Sequence, residues 1–544
     1  MDPVSRLRAL EDQLSRLGEE PCLLRDLART WRKLSNPERA YEYARRSVQL
    51  DGEVATAWNT LGATLMDLRD WRNAEAAFRQ ALRLDADLRL AETNLGLALG
   101  QQGWEIQEAA QRADWAPFAD NAQRLLRLHR ARMKQIGAPI VTPFSVLGFH
   151  LTAVEQREAA EARARQVLDQ SGIAREASKP ILRRPGERIR VGYISADFRN
   201  NAAGHLLHRL FAFHDRPRFE VFALSYGPED GSEFRREIKD GVEHFEDLRD
   251  LDDGRAAARI DELGMDLVVD LMGFAGNNRA GILALRPAPR QVSWLGYCMT
   301  TGAPWIDAFV GDSIALPPAL ETAFSEQVLR LPDSYQVYSG QDFERSAARG
   351  DFGLPDDAMV YCCFNMPEKI DPAIWARWMD ILAAVPGSIL WLLAGDEATA
   401  RNYRSRAESA GVDPARIVPA PLLPKRKQLA RVALADLFLD TPLCNAHTTA
   451  SDALWAGVPV LTCPGELFAQ RVAASVCRAA GLPDLVVDSL DDYVATAIAL
   501  GNDREALRPL KDKLAAARED APLFDVPRFA RGLEALFETL ILRD

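Results

Sequence analysis

The sequence predicts an α + α/β chain: an N-terminal array of paired helices, then two doubly wound parallel sheets in tandem. Three observations lead there. Small and large apolar residues recur with a 34-residue period over the first hundred positions. From Arg188 onward, short apolar runs alternate with helical segments, in two successive series. The stretch around Leu437–Gly457 reads as strand, loop and helix, with two threonines at the helix mouth.

The repeat is legible pair by pair. Leu27-Ala28, Leu61-Gly62 and Leu95-Gly96 stand 34 residues apart, as do Trp31, Leu65 and Leu99. Ala40 and Ala74, Ala44 and Phe78, and Ser47 and Ala81 keep the same spacing. Small residues let paired helices approach, large ones fill the gaps, and about three copies are the least such a stack needs. The middle copy, with Trp58, Leu61, Gly62, Ala74, Phe78 and Ala81, fits the tetratricopeptide (TPR) pattern. Repeats are expected over residues 1–112, offering a groove to a protein partner or acceptor. A helical connector over 113–184 follows, with helices at Trp115–Lys134 and Ala153–Gln170, a proline-bearing link at Gly137–Leu147 and a linker from Ser171 to Arg188.

The first strand series is Arg188–Ser195, Phe219–Ser225, Asp266–Leu271, Gln291–Gly296, Ile306–Asp312 and Gln327–Leu331, within a lobe at 185–340. The second is Met359–Phe364, Ser388–Gly395, Arg416–Pro419, Leu437–Asp440, Pro459–Thr462 and Leu485–Val487, within a lobe at 341–526. Residues 527–544 add a final amphipathic helix. Two such lobes share one cleft facing the carboxyl ends of their strands.

Composition narrows the function. The 544 residues are 47% hydrophobic and 26% charged, as in a globular protein of several units, and the net charge of −12 argues against nucleic acid or an anionic membrane as partner. Seven cysteines without a C-x-x-C pair read as reduced thiols of a cytoplasmic protein. The charged amphipathic N-terminus is not a signal peptide, and the longest apolar stretch, Ile381–Gly395, is broken by Pro386-Gly387 and too short to span a bilayer.

Chemistry concentrates at the strand–loop–helix. Free N–H groups and the positive helix end point at the loop, and Thr448 and Thr449 add hydroxyls, which makes an anion site. Asp452, one turn on, can accept from a sugar hydroxyl. The plainer alternative is a capped helix, with Thr448 or Thr449 as N-cap and His447 a satisfied loop histidine.

Cys444-Asn445-Ala446-His447-Thr448-Thr449 followed by Asp452-Ala453-Leu454-Trp455-Ala456-Gly457 resembles the nucleotide-sugar diphosphate loop of O-GlcNAc transferases and their Spindly-type relatives, with alanine at 446 where the family usually has glycine. The resemblance runs over residues 185–544 and implies the two-lobed GT-B architecture. It implies that Lys369, in Asn365-Met366-Pro367-Glu368-Lys369, contacts the donor phosphates. It implies that Lys425 and Arg431 meet the ribose and base, that the backbone at Leu423 meets the nucleobase edge, and that His447, Thr448, Thr449 and Asp452 complete the donor site. In the first lobe His205 matches a family histidine proposed as base or sugar organiser. Met299-Thr300-Thr301-Gly302 resembles a sugar-side loop, and Pro464–Ser475 a lobe-packing segment. Departures are Met366 for glutamine, Glu368 for tyrosine, Gln428 for histidine and Met299 for glycine, besides Gly273-Phe274-Ala275 for Gly-His-Thr or Gly-Tyr-Thr.

The resemblance implies an inverting, metal-independent transferase that moves N-acetylglucosamine from UDP-GlcNAc, a substrate rather than a cofactor, to Ser or Thr of proteins. A substrate phosphate or a water chain is the alternative to His205 as base. Asp250-Leu251-Asp252 is formally an Asp-x-Asp, but it lies in an acidic connector that reads as a solvated loop. Another donor, GDP-fucose or UDP-glucose, and a non-catalytic scaffold are the rival expectations.

Overall fold

The computed structural model describes residues 2–115, 150–171 and 186–542, with a few positions between 123 and 147. The helix expected at Trp115–Lys134 and the linker at 171–188 lie largely outside the described residues. Two compact units result, one holding residues 1–109 and the other both sheets.

The first unit is built of α1 (Pro3–Leu17), α2 (Pro21–Lys33), α3 (Pro37–Leu50), α4 (Ala55–Asp67), α5 (Trp71–Leu84) and α6 (Arg89–Gln111). α2, α4 and α6 start 34 residues apart, as do α3 and α5, so the sequence period is the period of the helix pairs. A Cβ at Gly62 would sit 2.5 Å from the Phe78 ring, which is why α4 and α5 need a glycine there. Ser35 and Arg69, at positive φ (55° and 59°), turn the chain between partners, and Asn36 and Asp70 cap the helices that follow. The third copy departs from expectation. Gly103-Trp104-Glu105, in register with those turns, continues as helix, so α6 runs on for 23 residues.

The second unit carries a seven-stranded sheet of β1 (Ile189–Ser195), β2 (Phe219–Ser225), β3 (His244–Asp247), β4 (Leu267–Asp270), β5 (Arg290–Ser293), β6 (Ala308–Asp312) and β7 (Gln327–Leu331). A five-stranded sheet follows, with β8 (Val360–Cys363), β9 (Ile389–Leu393), β10 (Ile417–Ala420), β11 (Leu437–Leu439) and β12 (Val460–Leu461). The orders are β3-β2-β1-β4-β5-β6-β7 and β10-β9-β8-β11-β12, parallel throughout. Each sheet therefore reverses direction next to its first strand, at β1/β4 and at β8/β11, and such reversals open a crevice at the carboxyl ends. The strand expected at Leu485–Val487 shrinks to a single bridge between Thr462 and Val486.

The last helix, Val526–Leu542, packs back on the first sheet. There Glu534 and Tyr193 grip the fully buried His214 ring from both sides, at 2.9 and 2.8 Å.

Candidate active site

A cavity of about 440 Å³ lies at the two reversal points, within the size range of small-molecule sites. Asp197, just past β1, Leu206, and Leu295, Gly296 and Cys298 past β5 form the first-lobe wall. Phe364, Asn365, Met366 and Lys369 past β8 and Thr448, Thr449 and Asp452 past β11 form the second.

The strand–loop–helix forms as the sequence indicates. The helix Thr448–Ala456 ends at Gly457 in the left-handed region (φ 85°), and its N-cap is His447, not a threonine. No side chain caps it, so its first-turn N–H groups stay open where Thr448 and Thr449 line the cavity. The loop before it is prebuilt. Asp440 accepts from Ala446 N–H (2.6 Å) and the Thr462 hydroxyl (2.7 Å), and burial pushes its carboxyl up to about 6. Asn365 Nδ2 donates to Thr441 Oγ1, which donates to the Cys444 carbonyl, both at 2.7 Å, and Thr449 Oγ1 donates to Asn365 Oδ1.

Lys369 ends the single turn Pro367–Lys369 after β8, and its Nζ donates to the Asn445 carbonyl at 2.7 Å. Burial disfavours its charge, but the Cys444 and Cys298 thiols and the Asp440 and Glu368 carboxyls more than offset this and hold its pKa above the ordinary lysine value. The second lobe thus presents an ammonium beside open helix N–H groups. His447 Nε2 donates to the Ala469 carbonyl at 3.2 Å, and burial, with Lys369 adding, drives its pKa down to about 3, so the ring is neutral.

The Asp452 carboxylate is already engaged. Its Oδ1 accepts from Tyr338 (2.8 Å) and from the Lys425 ammonium, with the lysine and aspartate side chains only 6% and 9% exposed. Leu423 and Gln428 reach the cavity wall. Arg431 does not. It is fully buried with Nη1 on the Pro421 carbonyl (2.6 Å) and its guanidinium 4.7 Å from the Phe364 ring, so it shapes the wall from behind rather than meeting a ligand. Met366 is 45% exposed at the cavity, whereas Glu368 is half-buried, its pKa raised by desolvation and its Oε2 without a hydrogen-bond partner.

In the first lobe two of the expected segments make their contacts elsewhere. His205 lies on the helix Ala202–Leu207, but Ala202, Ala203 and Leu206 face the cavity and His205 does not. Its Nε2 is 2.8 Å from Asn200 Oδ1 and its ring is 4.5 Å from Phe234. Burial first, then Lys425, pushes its pKa down to about 3, which makes the imidazole a weak base. The loop Met299-Thr300-Thr301-Gly302 also turns away. Glu326 takes both threonine hydroxyls (2.5 Å each) and Thr301 N–H (2.7 Å), and Gly302 (φ 59°) abuts the backbone of Glu161. The adjoining Leu295, Gly296 and Cys298 line the cavity instead.

The sequence hid a further element, the segment from Ser334 to Gln341 between the lobes. Gln336 donates to Ser451 Oγ (2.7 Å) and to the His447 carbonyl (3.2 Å), and Trp455 Nε1 donates to the Gln341 carbonyl (2.9 Å). On the other side Ser339 Oγ donates to the Leu206 carbonyl (2.7 Å), and His208 Nε2 meets the Gly340 carbonyl (3.1 Å). The segment ties the helix Thr448–Ala456 to the first-lobe helix Ala202–Leu207. It has no strand or helix period, so only its Tyr and Gln content was available as a signal.

The sequence model of Glycosyl transferase family 41 matches residues 112–345 and 339–533. The chain belongs to glycosyl transferase family 41. A tetratricopeptide repeat model matches residues 55–88, the span of α4 and α5. Among relatives, the probable UDP-N-acetylglucosamine–peptide N-acetylglucosaminyltransferase SEC of Arabidopsis thaliana is 36% identical over 411 residues, 73% of this chain and 42% of its own length. The UDP-N-acetylglucosamine–peptide N-acetylglucosaminyltransferase of Caenorhabditis elegans is 29% identical over 543 residues, 78% of this chain and 47% of its own. The family 41 chain thus spans less than half the length of these relatives. A Thermobaculum terrenum O-GlcNAc transferase mutant superposes with a TM-score of 0.70 at 24% identity, covering 99% of this chain and 98% of that one, so the helical repeats and the paired GT-B lobes are a shared fold. Among the described residues no helix is long and apolar enough to cross a membrane.

Proposed function

We propose that this family 41 chain is an inverting glycosyltransferase that moves N-acetylglucosamine from UDP-GlcNAc to Ser or Thr hydroxyls of proteins, without a metal ion on the diphosphate. The observation that carries this is the prebuilt, uncapped helix mouth at Thr448 with the Lys369 ammonium beside it. The acceptor oxygen attacks the anomeric carbon, the bond to the diphosphate breaks, and UDP leaves with the electron pair toward Lys369, Thr448 and Thr449. Donors fixed before the reaction act most strongly on charge that develops during it. Asp197, on the first-lobe wall and raised by burial, is the group assigned to accept the acceptor's proton, in place of His205, whose pKa burial lowers to about 3. Leu423 and the Lys425–Asp452 pair serve the uridine side.

Metal independence is supported by what the Asp-x-Asp stretch does instead: Asp252 caps the helix Asp253–Glu262 by accepting from Arg255 N–H at 2.8 Å. The sugar and the acceptor class come from the relatives' names. The repeat groove is assigned to the acceptor protein. There Asn94 Nδ2 donates to Asn59 Oδ1 (3.0 Å), which leaves amide groups suited to an extended backbone. Isothermal titration with UDP-GlcNAc, UDP-glucose and GDP-fucose tests the donor. UDP-GlcNAc binding tightest is expected. Preference for either of the others overturns the sugar assignment.

A further inference from the structure

The repeat groove, a cavity of about 1010 Å³, is lined by Arg6, Arg29, Arg32 and Lys33 against one carboxylate, Asp67. That balance is opposite to the chain as a whole, which carries −12. Three of the four cations, with Arg25 one turn earlier, sit at i, i+4, i+7 and i+8 on α2, the face turned away from the buried Leu23, Leu24, Leu27 and Ala28. α4 holds them in position. Arg25 Nη1 donates to Thr56 Oγ1 (3.1 Å), Arg29 Nε to Thr60 Oγ1 (3.3 Å), and Arg32 pairs with Asp67 at 2.6 Å.

The positive charge is only partly cancelled locally, since Asp67 takes Arg32 alone. Asp26 is shared between Arg6 (3.5 Å) and Arg29 (4.0 Å). Lys33 is exposed and has no partner among the described residues. Arg25 Nε is buried without a hydrogen-bond partner. Burial and the neighbouring Arg25, Arg32 and Arg6 lower the Arg29 pKa, the mark of like charges crowded together. Hydroxyl-steadied guanidiniums in a polar groove suit carboxylates, which they bind in a planar fork.

We propose that this groove selects acceptor proteins through an acidic, extended segment whose Asp and Glu side chains pair with Arg29 and Lys33. The proposal rests on the glycosyltransferase reading for its biological role, but its chemistry stands in the first unit alone.

The test uses the full chain and a fluorescein-labelled peptide of alternating Glu and Asp around one serine, read by fluorescence anisotropy. Its Gln/Asn counterpart and a Lys-rich peptide serve as comparisons. The acidic peptide is expected to bind roughly tenfold tighter than the amide counterpart at ~0.1 M salt, with the difference lost at ~1 M as the Debye length falls to about 3 Å. The double variant Arg29→Glu/Lys33→Glu, shown folded by circular dichroism and by unchanged UDP affinity, is expected to lose that preference. Equal binding of acidic and amide peptides, a preference that survives the charge reversal, or displacement by an equal concentration of oligouridylate overturns it. A chain that binds UDP-GlcNAc but ignores peptide charge refutes this inference alone. One that prefers acidic peptides but takes no nucleotide sugar refutes the donor reading alone.

Discussion

Asp452→Ala removes the carboxylate that a buried ammonium and a buried phenol both use. The native pair has 6% and 9% side-chain exposure, so water does not screen it, and Tyr338 OH is left without its acceptor at 2.8 Å. Removing one partner of a buried ion pair costs about 3–5 kcal/mol, because the surviving charge stays desolvated. For lobes of this size that lowers the melting temperature by roughly 6–20 °C. A direct bond from Asp452 to a ribose hydroxyl would add about 1–3 kcal/mol to nucleotide binding. Calorimetric melting and titration with UDP separate the two effects. The double variant Lys425→Met/Asp452→Leu deletes both charges; it is expected to regain most of the melting temperature while UDP binding stays weak. A melting curve for Asp452→Ala that overlays the native one would refute the buried-pair argument. Unchanged UDP affinity in the folded variant would place the ribose elsewhere.

Two further outcomes follow from the same geometry. His447 titrates near 3 when folded against 6.5 as a free side chain, because burial disfavours the imidazolium, so below pH 6.5 the unfolded chain binds the extra proton. Its contribution is complete above that pH and falls by about 2 kcal/mol between pH 7 and pH 5. His447→Asn should flatten the pH dependence of the denaturant midpoint, and an unaltered slope contradicts the assignment. At Gly302 (φ 59°) an added Cβ would lie 2.4 Å from the Glu161 nitrogen, so Gly302→Ala should cost at least about 1–3 kcal/mol in urea unfolding. A native midpoint would mean that the loop does not pack there.

The repeats were legible because close approach fixes a small residue in each copy, as Phe78 against Gly62 shows. α6 was not, since nothing in Gly103-Trp104-Glu105 announces that a helix continues through a turn position. The central strands read clearly because they are buried on both faces, as β4 and β9 are along their whole length. β3, at the sheet edge with the polar run His244–Asp247, carries no such signal. In the site, the helix mouth follows from local order, and Lys369 from the family resemblance of a segment that ends a strand. The Lys425–Asp452 pair, the burial of Arg431, and Glu326 drawing residues 300–301 away all depend on residues distant in sequence. Periodicity and local spacing cannot report them.

Loss of Lys369 bears most directly on the mechanism. Steady-state transfer of labelled N-acetylglucosamine from UDP-GlcNAc to a protein acceptor, for native and Lys369→Ala chains of matched circular dichroism, separates turnover from donor binding. A fall of roughly 100-fold or more in kcat is expected, the scale of losing one preorganised electrostatic donor, with a much smaller change in UDP affinity and no effect of EDTA on the native rate. Near-native turnover by Lys369→Ala, together with loss of native activity on chelation, would contradict it.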